Sequence, residues 1–243
     1  MKRTILYTLY IYIGALLATS CVADLEPLPK GWLQIERPVK DSVTETRTTE
    51  EIDYLVSIKK GESLVMAPIR YSQLNGNISL SEGTDYTLIA ESCTKTEAES
   101  QPTIFGQPRY AGFQPFSIAA NTSTEVTVNC SLANAAFKVR KDASFYYTDF
   151  SVSATVNART LTFTDEEQMG YFNVNDNGET IISYQVTATD AEGRQGTGQG
   201  TIKLKARTLS ILTLKATDLG YIGITITYDN TFTPIVTDVI VTP

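Results

Sequence analysis

Apolar and β-branched residues return at every second position along most of this chain, and that spacing restricts it to one kind of fold. Successive side chains of a β-strand point to opposite faces, so alternation buries one face and wets the other; an amphipathic helix would need a period of about 3.6. Runs of this kind lie at Trp32 to Ile35, Tyr54 to Ile58, Tyr86 to Ala90, Glu125 to Cys130, Ala136 to Val139 and Phe150 to Val156. They continue at Thr160 to Phe163, Ile181 to Ala188, Thr201 to Leu204, Ser210 to Leu214, Ile222 to Tyr228 and Ile235 to Val241. Turn formers separate them at Asn75-Gly76, Glu82-Gly83, Asn175-Asp176-Asn177-Gly178 and Glu192-Gly193. With no long helical period after the N-terminal segment, the expected class is all-β: two tandem antiparallel β-sandwich domains, immunoglobulin-like.

The two-domain reading rests on size and on an internal echo. A hydrophobic fraction of 42% with 13 Tyr and 9 Phe supplies enough apolar surface for ordered cores. Glu125 to Val139 and Leu212 to Ile226 share one plan, strand, short polar break, strand. The junction is therefore expected near Leu132 to Ala136, giving domains at 31–134 and 135–243.

The first residues carry an address. Lys2 and Arg3 form a basic head, Ile5 to Ala18 is uncharged and mostly apolar, and Thr19 and Ser20 lead into Cys21. This is the layout of a bacterial secretion signal, and a cysteine directly after small residues points to a lipoprotein signal at 1–20, with Cys21 as the acylated N-terminus and 21–30 as a proline-bearing tether. Ala18 stands where such signals usually carry Leu. An ordinary cleaved signal or an uncleaved spanning helix are the competing readings, the latter diluted by Thr4, Thr8, Gly14, Thr19 and Ser20. Without Lys2 and Arg3 the charge is 18 minus 27, or −9, with no basic run, so nucleic acid is not an expected partner.

The chain has no histidine. That removes Ser-His-Asp and Cys-His nucleophile activation and the commonest ligand of zinc, copper and iron; carboxylate-pair chemistry, Ser-Lys chemistry and calcium binding through oxygen ligands stay open, and no metal or cofactor is expected. Cys93 and Cys130 could oxidise after export. Parity turns Cys130 inward with Val126 and Val128 but sets Cys93 opposite to Tyr86, Leu88 and Ala90, so a disulfide needs a bulge near Ser92; the alternative is a buried Cys130 and a loop thiol at Cys93.

Four other features invite a site reading. Asn173 to Gly178 is oxygen-rich like a calcium loop but reads as a hairpin turn. Gly193, Gly196, Gly198 and Gly200 read as a mobile hairpin tip, because no helix follows to hold a phosphate. The pairs Glu50-Glu51 and Glu166-Glu167 point to opposite faces and read as solvated charge. Phe145, Tyr146, Tyr147 and Phe150, with Tyr110 and Phe113, would be either core or a stacking surface for sugars, and Trp32 is read in the same way.

Several stretches also resemble a known group. Ser81 to Ser92, Phe105 to Gly112 with Phe116 to Ile118, Cys130 to Asn134, Lys205 to Thr208 and Asp218 to Ile226 resemble an uncharacterised lipoprotein family of the Bacteroidota, similar to the fimbrillin-type surface proteins. The resemblance implies a lipoprotein precursor of two transthyretin-like sandwiches and no catalytic residues. Asp41-Ser42-Val43 has the form of the O-glycosylation acceptor of exported proteins in that phylum, with Ser42 as the acceptor. The expected function is that of a lipid-anchored outer-membrane protein facing outward, an adhesin or fimbria-associated component. A glycan-binding accessory lipoprotein of a polysaccharide uptake system is the alternative. Expected partners are the membrane through the lipid, a protein or glycan ligand and other fimbrial subunits, with Ile235 to Val241 either a donated strand or the last strand of its own domain.

Overall fold

The computed structural model describes residues 28–40, 52–216 and 222–229. Cys21, Ser42, Glu50-Glu51 and Ile235 to Val241 lie outside them.

The first half contains β1 (Lys30–Ile35), β2 (Val39–Lys40), β3 (Leu55–Lys60), β4 (Ser63–Arg70), β5 (Ile78–Ser81), β6 (Gly83–Glu91), helix α1 (Lys95–Ser100), β7 (Tyr110–Ile118), β8 (Ser123–Val126) and β9 (Asn129–Leu132). They form a small sheet, β5-β1-β8, facing a larger one, β2-β9-β7-β6-β3-β4. Between them lie Leu33, Val56, Ile58, Leu88, Ala90, Val128 and Cys130, all fully buried. The second half contains β10 (Asn134–Lys141), β11 (Asp149–Val156), β12 (Arg159–Phe163), β13 (Met169–Asn173), β14 (Glu179–Thr189), β15 (Gln195–Lys205), β16 (Leu209–Ala216) and β17 (Ile222–Asp229). Sheets β13-β10-β16-β17 and β12-β11-β14-β15 enclose the second core. There the Phe137 ring meets Phe163 and Phe172 edge to face at 5.1 and 6.3 Å, contacts worth about 0.5–1.5 kcal/mol each beyond burial. The protein is all-β, two tandem sandwiches.

Most pairings are antiparallel, but β1 with β8, β2 with β9 and β10 with β16 are parallel. The first two explain why Glu125 to Cys130 is two strands rather than one. At Val126 to Val128 the chain leaves the small sheet for the large one, and β1 and β2 make the same crossing beside it: Glu36 N–H donates to Val126 O at 3.0 Å and Val39 N–H to Val128 O at 2.9 Å. Val126, Val128 and Cys130 stay buried throughout. Alternation is thus preserved while the sheet changes, so periodicity cannot reveal the crossing.

The glycine-rich run is also corrected. Only Gly193, at φ +80°, belongs to the turn; Gly196, Gly198 and Gly200 lie inside β15. A Cβ at Gly200 would stand 2.5 Å from the Tyr184 hydroxyl oxygen. The missing side chain makes room for that ring, the ordinary reason for glycine within a strand.

Candidate interaction surfaces

Between β6 and β7 the chain leaves the first sandwich and straps onto the second. Thr94 caps α1 reciprocally: its Oγ1 accepts the Glu97 N–H at 3.2 Å, and Glu97 Oε2 accepts the Thr94 N–H at 2.8 Å, holding the Glu97 carboxyl below its usual range. The strap then lies along β13, the edge strand of its sheet. The Tyr171 N–H donates to Phe105 O at 2.8 Å, the Asn173 N–H to Glu99 Oε1 at 2.8 Å, and the Asn173 side-chain amide to Lys95 O at 2.7 Å. Phe105 inserts its ring against Phe163, centroids 5.2 Å apart.

Arg159 fastens this arrangement from β12. Its guanidinium donates to Tyr171 O at 2.5 Å, Glu99 O at 2.9 Å and Ile104 O at 2.7 Å, stands 3.5 Å from the Glu99 carboxylate and lies 5.0 Å from the Phe172 ring centroid. Burial lowers its pKa and the Glu99 charge opposes that effect; an arginine remains charged throughout. Behind it, buried Asn134 clamps the start of β10, its Oδ1 accepting the Arg109 N–H at 3.1 Å and its amide donating to Gln107 O at 2.8 Å. Edge strands are templates for unwanted pairing, and here the neighbouring sandwich occupies the edge. The Thr94-x-x-Glu97 spacing was the one readable signal of this strap. The partners of Arg159 are distant in sequence and carry none.

The outer face of the large sheet is different in character. Across it, Ser57, Ile89 and Phe113 stand side by side, and Leu64, Lys59, Thr87 and Pro115 form the next row. Phe113 is 70% exposed and Leu64 55%, with Val65 at the adjoining bulge 45% exposed. Two clefts open elsewhere on the first sandwich. One of about 430 Å³ is lined by Arg70, Cys93, Glu97, Gln107 and Tyr110, the other, of about 460 Å³, by Gln34, Tyr71, Ser72, Gly76 and Asn77.

Of the aromatic group read from the sequence, Phe145, Tyr146, Tyr147 and Phe150 come together, and Tyr110 and Phe113 lie apart from them in the first sandwich. Phe145, Tyr147 and Phe150 belong to the second core and Tyr110 to the first, while Tyr146 is half exposed and stacks on Tyr147 with centroids 4.7 Å apart. Trp32 is partly exposed on the small sheet. Cys93 and Cys130 are both buried, and the structure holds no disulfide between them. The Cys130 thiol faces Ala90 O at 3.8 Å, whereas Cys93 lies past the end of β6 beside Ser92, where burial pushes its pKa up. Cys93 lies in the loop between β6 and α1, where the loop-thiol alternative sets it, and is buried there. Asn173 to Gly178 forms a turn closed by Gly178 N–H to Asn175 O at 2.8 Å, with Gly178 at φ +78°. Glu166 caps the backbone N–H of Lys141 at 2.7 Å, and Glu167 is exposed. Among the described residues, no three His, Cys, Asp or Glu side chains gather as a metal site, and no helix is long and apolar enough to cross a membrane.

Strap, sheets and cores together define a tandem β-sandwich protein whose two units are joined through an occupied sheet edge. The chain belongs to the family Domain of unknown function (DUF4493), whose model matches residues 30–243. No curated protein matches it. Solved structures similar to it include a candidate cell adhesion protein from Bacteroides ovatus, at 11% identity and TM-score 0.40, covering 85% of this chain and 99% of that one. A candidate adhesin of the same species is 12% identical at TM-score 0.40, covering 87% and 98%. A candidate polysaccharide-binding protein from Bacteroides thetaiotaomicron is 8% identical at TM-score 0.43, covering 83% and 96%. Such distant likeness transfers no ligand to this chain.

Proposed function

We propose that this protein is a lipid-anchored component of the outer cell surface, held through Cys21, that acts by contact as an adhesin or fimbria-associated subunit. The observation that carries this reading is the outer face of the large sheet, where exposed Phe113 stands beside Ile89 and where Leu64 and Val65 are exposed three strands away at the sheet's edge. Phe113 is 70% exposed, and an aromatic ring standing out from a sheet face suits contact with another molecule. The strap favours the same role, because two sandwiches held through one edge present that face on a stiff body. The contiguous aromatic group Phe145, Tyr146, Tyr147 and Phe150 is buried apart from Tyr146, so it offers a sugar one exposed ring.

The test combines location and contact. Surface protease should degrade the protein on intact cells that retain their periplasmic controls, and Cys21→Ala should release it from the membrane fraction. Cells carrying Phe113→Ala/Leu64→Ser should lose attachment or fimbrial incorporation while the protein's thermal unfolding stays unchanged. Full attachment by the double variant would refute the contact reading; protection from protease would refute the outward placement.

A further inference from the structure

Two Asn-Gly pairs stand at exposed turns, Asn75-Gly76 and Asn177-Gly178, and the fold treats them in opposite ways. At the second, both potential reactants are engaged: the Gly178 N–H donates to Asn175 O at 2.8 Å, and Asn177 Oδ1 accepts the Glu179 N–H at 3.0 Å. At the first, neither is engaged. The preceding short turn closes with Leu74 N–H on Tyr71 O at 3.1 Å, and no hydrogen bond holds the Asn75 amide or the Gly76 N–H. Asn75 and Gly76 are both exposed, and Gly76 sits at φ +67° with no atom within 4 Å of where a Cβ would be.

We propose that Asn75 is a site of spontaneous backbone self-modification, and that Asn177 is protected from it by the fold. The Gly76 nitrogen bonds to the side-chain carbonyl carbon of Asn75, and that carbon's bond to the amide nitrogen breaks. Ammonia leaves, taking up the proton given up by Gly76, and a cyclic succinimide remains. Water then adds to either succinimide carbonyl and opens the ring to aspartate or to isoaspartate, whose main chain runs through the former side chain. Nothing is oxidised or reduced, and water is the only co-reactant. The product carries a new carboxylate on the rim of the cleft lined by Gln34, Tyr71, Ser72 and Asn77. Close by, Asp53 already accepts hydrogen bonds from Ser72, and the Arg37 guanidinium lies over the Tyr71 ring at 5.6 Å, so the modification alters the cleft's charge without disturbing either core.

The full chain is incubated in mildly alkaline buffer, folded or in urea, and peptides are mapped for isoaspartate with an isoaspartyl methyltransferase as the label. The expected result is preferential conversion at Asn75 in the folded protein, faster than at Asn177 by on the order of tenfold, the barrier imposed by two ordinary hydrogen bonds. In urea the two sites should convert at similar rates, and the acidic charge variant that forms first in the folded protein should be absent from Asn75→Gln. Equal or faster conversion at Asn177 in the folded state would overturn the proposal. So would an Asn75 to Asn177 ratio unchanged by urea.

Discussion

Replacing Arg159 with alanine tests whether the strap is a working joint. The side chain is 19% exposed and serves three carbonyl oxygens, one carboxylate and one ring face. Alanine leaves Tyr171 O without its donor and the Glu99 carboxylate without its counter-charge. Hydrogen bonds from a charged donor contribute roughly 1.5–3 kcal/mol each, but water can re-enter at Glu99 and Ile104, so the sum is not additive. Removing one partner of a buried charged cluster costs about 3–5 kcal/mol, and partial exposure sets the expectation near the lower end, about 3 kcal/mol. Arg159→Lys keeps the charge but not the planar fork, and should lose roughly half as much. Urea unfolding by tyrosine fluorescence measures the loss, and limited proteolysis gives an independent reading: the 95–107 segment should become cleavable in Arg159→Ala while both cores resist. A loss under about 1 kcal/mol, or no new cleavage in that segment, would refute the argument that this guanidinium holds the two sandwiches together.

Gly112→Ala should destabilise by about 1–3 kcal/mol in a melt, because the added Cβ would stand 2.1 Å from the backbone oxygen of Asn129, which cannot swing aside. Phe113→Ala, one residue further along β7, should change stability by less than about 0.5 kcal/mol, since its ring is in solvent. Both thiols should resist a soluble thiol reagent in the folded protein and react promptly in denaturant, Cys93 because burial raises its pKa and both because they are covered. The pKa shifts predict stability lost at both ends of the scale. Asp53 and Glu97, held low chiefly by the N–H groups of Ser72 and Thr94, contribute above their ordinary values of 3.8 and 4.5, and that contribution disappears as pH falls through the folded values. Tyr171 and Tyr184, pushed up by burial from an ordinary value of 10.0, keep their full contribution below that value and lose it as pH rises further, which a pH series of melts will show.

Much of the fold was legible because a strand with one wet face writes its parity into the chain. The expected runs at Tyr86 to Ala90, Phe150 to Val156 and Ile181 to Ala188 fall within β6, β11 and β14. The strands that escaped notice have the reason in their burial. β4 is an edge strand with most residues outside the core, β7 interrupts its alternation at exposed Phe113 to Pro115, and β13 is buried on both faces. Parallel pairing left no trace, because parity says which face a residue takes and nothing about which strand lies beside it. The exposed Phe113 was hidden for a related reason: it was grouped with other aromatics, whereas its neighbour in space, Ile89, lies on another strand.

The strap also orders events in time. The chain is made from its N-terminus, so residues 94–107 exist before β13 has been synthesised, anchored at both ends by strands of the first sandwich. When Met169 to Asn173 emerges, a partner for its open edge is already waiting nearby, contributed by the same chain. The interval during which that strand could pair with another molecule is therefore short, and the earlier half of the protein serves as an internal chaperone for the later one.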